Sequence, residues 1–303
     1  MKRRGMGFKT KTAAAAAVLA AMAMLSGCGS SAPTETTAAA TTAAETTAAE
    51  TTAAETTAAE TKAETTAAAS SDETTILVAA AASLKYSYDE ELIPMFEKAN
   101  PGIKVDATYD SSGKLQTQIE EGLGADVFMS AAVKQMNALK DESMVDPDSI
   151  VELLENKIVL IVPAETDPKV TSFEDITKAD TIAVGDPESV PAGQYAKEAL
   201  TSLGLWDEVE AKCTKGTNVT EVLNWVAEGS ADAGIVYATD AATTDKVTVI
   251  AEAPEGSLAK KVLYPVGILS ASEHKDEAQK FVDFLKTDEA LAVFEKYGFS
   301  ANK

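Results

Sequence analysis

Arginine is all but missing from this chain: Arg3 and Arg4 are its only two, and the balance is acidic, with 48 Asp and Glu against 26 Lys and Arg in 303 residues. Nucleic-acid binders grip phosphates with Lys and Arg, so an acidic chain nearly devoid of arginine excludes that class of partner. Histidine occurs once, as His274, and cysteine twice, as Cys28 and Cys213. That inventory leaves no His/Cys cluster for zinc or iron. It also leaves no disulfide within the chain once Cys28 is processed as described below. Aromatic residues are 6% of the chain, too few for the row of exposed rings that a sugar platform needs. The apolar run Ala13–Leu25 is shorter than the roughly 20 residues that span a bilayer.

Lys2, Arg3, Arg4, Lys9 and Lys11 surround the start of that run, and Leu25-Ser26-Gly27-Cys28 closes it. This is the pattern of a secretory signal peptide over residues 1–27. The closing tetrapeptide resembles a lipobox, which implies a lipid on Cys28 and an extracytoplasmic protein anchored to the cell membrane. Losing the leader removes five positive charges and takes the formal net charge from −22 to −27. Residues 28–75 are then nearly all Thr, Ala and Glu, with TTAAE in tandem over 41–60. With no large apolar residue, such a segment buries no core and reads as a disordered tether. As a flexible coil of about 45 residues it spans roughly 35–40 Å.

From Ile76 the pattern changes. Ile76-Leu77-Val78 and four alanines read as a buried strand, Ile103–Tyr109 as a second, and residues 125–130 (ADVFMS) as a third, with helical spacing of Leu92, Ile93, Met95 and Phe96 between the first two. Strands over 158–162, 181–184, 233–237, 247–251 and 262–269 alternate with helices over 191–203, 218–228 and 273–297. Repeated β–α units predict α/β architecture with mixed, largely parallel sheets. About 228 residues exceed what one small sheet needs, so two lobes are expected.

Several strands end in a short turn of small residues where a helix begins: Ser83 after ILVAAAA, Ser111-Ser112-Gly113 after Tyr109, Pro191-Ala192-Gly193 after Gly185, and Thr217-Asn218-Val219 before VTEVLNWVAEG. A serine at a helix start is ordinarily a cap. Several such starts in one α/β chain, all built from neutral small residues, point instead to a shared anion site beyond the carboxyl ends of the strands. Hydroxyls and backbone N–H groups hold a fully deprotonated oxyanion without any arginine.

AAAASL (79–84), YDSSGKLQTQIEEGLGADVFMSA (109–131), VGDPESVPAGQYAKEAL (184–200), GIVYATDA (234–241) and FEKYGFS (294–300) closely resemble the periplasmic molybdate-binding proteins, the substrate-binding components of ABC importers for molybdate and tungstate. The resemblance covers about 76–303. It implies a two-lobed periplasmic-binding-protein fold of type II, hinged between lobes at 76–163 with 263–303 and at 164–262, with crossings near Val159–Pro163 and Val262–Gly267. Carried over by position, it implies oxyanion ligands at Ser83 and Ser112 through their hydroxyls, Ala192 and Val219 through backbone N–H groups, and Tyr237 through its phenol. Molybdenum would be held only as the bound oxyanion, with no cofactor. The implied partners are a membrane permease and its ATPase, and the receptor is expected to act as a monomer. Gly113 and Lys114 replace the small hydroxyl residues that often follow the second serine in this family, and Lys114 reads as a solvated helix side chain.

Other readings start from the same residues. The same donors suit sulfate or another tetrahedral oxyanion. A ferric-ion receptor would want paired tyrosines, and Tyr237 has no tyrosine beside it. A serine hydrolase would need a base for Ser83 or Ser112, but His274 lies in the polar stretch SASEHKDEAQ and Lys85 is only two residues from Ser83, so no enzyme is expected. A surface scaffold has only the tether to support it.

Overall fold

The computed structural model describes residues 73–165 and 169–302. The leader, Cys28 and nearly all of the tether lie outside the described residues. The first strand, β1 (Thr74–Ala81), begins two residues before the expected Ile76. A tight turn carries Ser83 into the short helical segment α1 (Lys85–Ser87) and on to α2 (Ile93–Ala99). There follow β2 (Ile103–Asp110), α3 (Ser112–Glu120), β3 (Val127–Met129), α4 (Val133–Asp141) and β4 (Val151–Asn156). The middle of the chain comprises β5 (Ile158–Pro163), β6 (Ile182–Gly185), α5 (Pro191–Ser202), α6 (Trp206–Glu210), β7 (Cys213–Gly216), α7 (Val219–Ala227), β8 (Ala233–Tyr237), α8 (Ala238–Ala241) and β9 (Val247–Glu252). The last part is β10 (Val262–Ile268), α9 (Lys275–Leu285), α10 (Asp288–Lys296) and β11 (Ser300–Ala301).

These strands form two sheets, ordered β11-β4-β10-β3-β1-β2 and β7-β6-β8-β5-β9. Both are mixed, and the parallel share is smaller than the β–α alternation suggests. The pairs β1–β2, β1–β3, β6–β7 and β6–β8 are parallel, whereas β4, β5, β9, β10 and β11 pair antiparallel. The antiparallel strands are the ones the chain uses to pass between lobes and to return.

The first crossing is earlier than expected. β4 belongs to the first sheet and β5 to the second, with Lys157 alone between them. The run at Val159–Pro163 therefore lies inside the second lobe rather than at the hinge. Val159–Val162 are apolar and almost fully buried, and Pro163 at the end of the strand is half-buried. The break comes where Asn156 and Lys157 bring polar side chains. The second crossing spans 253–261, between β9 and β10.

The first sheet is covered on both faces, and β1 shows how. Alternate side chains of a strand point to opposite faces: Ile76, Val78 and Ala80 enter the larger core, while Ala79 packs with Leu115, Phe128 and Met136 beneath α3 and α4. On the larger side Phe96, Phe281 and Tyr88 meet edge to face, with Phe96 and Phe281 centroids 5.0 Å apart. Each such ring removed from water contributes roughly 1.5–3 kcal/mol.

Helix α5 sits closely on the second sheet at Gly193. A Cβ there would stand 2.5 Å from the Gly185 carbonyl carbon, closer than real side chains come. Helix propensity alone favours Gly193→Ala by about 1 kcal/mol, but overpacking against rigid backbone costs about 1–3 kcal/mol or more. The clash wins. Urea unfolding of Gly193→Ala should show a lower midpoint than the wild type; an equal or higher midpoint would contradict this packing.

Candidate oxyanion site

The turn into α3 is extended at Ser111 and helical from Ser112 onward, which makes Ser112 the first helical residue. Ala192 is the second residue of α5, after Pro191, and Val219 is the first of α7. Amide hydrogens in the first turn of a helix have no intrahelical acceptor. Among the described residues, those of Ser112, Ala192 and Val219 meet none elsewhere either. All three residues are buried. Neighbouring amides are satisfied in other ways: Asn218 Oδ1 accepts the Glu221 N–H at 3.0 Å, and the Asp186 carbonyl accepts those of Ser189 and Val190.

These three helix starts converge. A small cavity between the lobes is lined by Ser83, Ser112, Ala192, Val219 and Tyr237 together, all five residues singled out from the sequence. Ser83 and Ser112 come from the first lobe, and the other three from the second. Three helix dipoles pointing their positive ends at one small space make it favourable for negative charge without any cationic side chain.

Each hydroxyl has a defined partner. Ser83 Oγ is 2.9 Å from the Tyr264 hydroxyl. Ser112 Oγ accepts the Ala131 N–H at 3.0 Å, which leaves its hydrogen free to face the cavity. Tyr237 donates its hydroxyl to the Ala131 carbonyl at 3.2 Å, so in this arrangement that hydrogen is committed across the cleft. Burial pushes the Tyr237 phenol well above its usual 10, which keeps it a neutral donor.

Two polar lining residues were not assigned to the site from the sequence. Asp110 puts a carboxylate at the edge of the cavity. Its Oδ1 accepts the Ser111 N–H at 2.7 Å and lies 3.3 Å from Lys114 Nζ. Lys114 thus neutralises an acid beside the site, instead of being simply solvated. The i, i+4 spacing was visible, but nothing in it placed Asp110 at the cavity. Ser111 is buried there with its hydroxyl unpartnered, although it occupies the cap position of α3.

The lobes are closed over this space. Gly113 donates its N–H to the Ser189 carbonyl at 2.9 Å, and Gln135 Nε2 donates to Gln194 Oε1 at 3.3 Å. A Cβ on Gly113 would stand 2.7 Å from Ser189 Cα, so glycine is what lets the two backbones meet. The bases considered for a hydrolase are elsewhere. Lys85 is ion-paired with Asp89 at 2.7 Å and lies over the Tyr109 ring, and His274 borders a separate hollow with Asp126 and Ser272.

Just behind Tyr237, Asp240 is buried with one carboxylate oxygen unpartnered. Burial raises its carboxyl from 3.8 to about 7. Between those two values the folded chain holds a proton that the unfolded chain has released, so stability falls as pH rises through that window. Asp240→Asn should therefore raise the unfolding free energy, by roughly 2–4 kcal/mol near pH 8 and by clearly less near pH 5. An equal gain at both values would contradict the buried acid.

Residues 76–300 match the family model described as bacterial extracellular solute-binding protein. The putative ABC transporter substrate-binding lipoprotein YvgL of Bacillus subtilis is 44% identical over 232 residues, 77% of this chain and 88% of that one. The molybdate-binding protein ModA of Escherichia coli is 38% identical over 239 residues, 77% of this chain and 91% of that one. Among solved structures, the substrate-binding domain of a putative molybdenum ABC transporter from Clostridium difficile superposes with a TM-score of 0.60. It is 38% identical and covers 76% of this chain and 100% of that one.

Proposed function

The chain belongs to the bacterial extracellular solute-binding protein family, and on that premise we propose that it captures molybdate, and tungstate with it, for an ABC importer. It binds and releases, with no chemical step. The observation that carries this reading is the convergence of three helix starts with unpaired N–H groups on one cavity between closing lobes. Ser83 and Ser112 donate hydroxyl hydrogens to the anion, Ala192 and Val219 donate backbone N–H groups, and Tyr237 turns its hydroxyl from the Ala131 carbonyl to the ligand. Lys114 offsets Asp110, which keeps the mouth near neutral. The names of the similar proteins from Escherichia coli and Clostridium difficile support molybdate over other tetrahedral anions. A lipid on Cys28 and a tether over 28–75 would hold this receptor, as a monomer, near the permease and its ATPase. The name of the Bacillus subtilis relative, a lipoprotein, supports that anchoring.

Thermal unfolding with molybdate, tungstate, sulfate and phosphate in turn tests the ligand. At a hundred times its dissociation constant a ligand adds about 2.7 kcal/mol, which for a domain of this size is a rise of roughly 5–10 °C. A rise with molybdate and tungstate alone is expected and should vanish when Ser83→Ala and Ser112→Ala are combined. A rise with sulfate alone would move the ligand while keeping the site; no rise with any of the four would remove the site itself.

Closure has its own test. Gly113→Ala should preserve the unliganded melting temperature within about a degree yet weaken molybdate binding tenfold or more, mainly through faster dissociation. Unchanged affinity would mean that the Gly113–Ser189 contact does not contribute to holding the ligand.

A further inference from the structure

We propose that Asn156 and Tyr264 are positioning residues that fix the direction of the Ser83 hydroxyl, so that its hydrogen can point only into the cavity. This rests on the reading of the cavity as an oxyanion site, and it concerns how that site refuses protonated anions. Asn156 ends β4, and its Oδ1 accepts the N–H of Lys157 at 2.8 Å. The amide is thereby oriented, and its nitrogen is the end that faces Thr239 Oγ1 at 2.9 Å and the Tyr264 hydroxyl at 3.1 Å. An amide nitrogen only donates. The Tyr264 oxygen receives a hydrogen from Asn156, and in the proposed relay its own single hydrogen goes to Ser83 Oγ, 2.9 Å away. Ser83 accepts at that lone pair, and its hydrogen is left for the cavity.

Burial holds the Tyr264 phenol well above its usual 10, so it keeps the proton that the chain of bonds requires. Tyr264 is fully buried, edge to face with Tyr237 at 5.5 Å and with Phe299 at 5.2 Å, and has no freedom to turn away. On the opposite side, Ala131 donates its N–H to Ser112 Oγ and gives that hydroxyl the same direction. Two serines that would otherwise accept or donate are thus both held as donors. A fully deprotonated oxyanion finds a hydrogen at both, whereas the O–H of hydrogen phosphate meets two serine oxygens that each already accept a hydrogen bond and point their own hydrogen at it.

A double-mutant cycle tests the relay. Tyr264→Phe keeps the ring and removes the hydroxyl, and Ser83→Ala removes its target. Calorimetric titration of each variant and of the pair would use molybdate and phosphate as probes. Tyr264→Phe should weaken molybdate about tenfold and narrow the gap between molybdate and phosphate, because Ser83 is no longer turned toward donation and can rotate to accept. In the Ser83→Ala background the same change should do little more, a coupling that a purely structural role would not produce. Asn156→Ala, a change at the far end of the chain of bonds, should shift both probes in the same direction by less. Additive losses, or molybdate affinity within about twofold of wild type in both Tyr264→Phe and Asn156→Ala, would overturn the relay while leaving the receptor reading intact. Wild-type protein that binds no molybdate would overturn both.

Discussion

The amide hydrogens at the starts of α3, α5 and α7 are buried and unpaired when the lobes meet, and the rest of the site follows from that. A buried polar group without a partner costs about 1–3 kcal/mol, so closing on an empty cavity leaves several such costs in place. Closing on a dianion removes them together and adds the attraction of three helix dipoles. A bound anion would thus be the missing acceptor that makes the closed form favourable. A ligand shifts an equilibrium only by its differential affinity for the two states, and here the difference is physically identifiable: the same donors face water when open and face the anion when closed.

The net charge looks at odds with such a ligand. The chain is strongly acidic, yet the proposed cargo is a dianion. Distance resolves this. Surface carboxylates act through water and salt over about 8 Å, while helix starts act at contact distance inside a cavity that excludes water. The one acid at the edge, Asp110, is already engaged by the Ser111 N–H and Lys114. Neutral donors also release an anion more readily than an arginine clamp would, which suits a protein that must hand its cargo on.

Much of this was legible in the sequence because it depends on local rules. Alternating apolar strands and helices gave the α/β class, and runs of small residues at strand ends marked the turns that converge on the cavity. Other features depend on partners far along the chain. β4, with sequence VELLEN, carries two glutamates and shows little strand pattern until β10 and β11 pair with it. The crossing at Lys157 became visible only once β4 and β5 fell into different sheets. Asp110 and Ser111 sit beside the expected Ser112, but whether a side chain at a turn faces solvent or cavity depends on how the other lobe closes over it. Tyr264 lies 181 positions from Ser83, and no spacing rule connects them.

The two connections between lobes differ in kind, and this sets an order of events. One is the single residue Lys157, too short to slide; the other is the nine-residue segment 253–261, long enough to give. An opening of the lobes would then be a rotation whose axis runs beside Lys157. Ser83, tied to Asn156 through Tyr264, and Tyr237, paired with Ile158 across the strand, lie next to that axis and sweep short arcs. The Gly113–Ser189 contact has no such tie and travels further. An anion arriving at the proposed site would thus meet a half-assembled seat at the spine before the far edge swings in. Recognition would come first and enclosure second, and release would reverse the order by lifting the far edge while the seat stays in place.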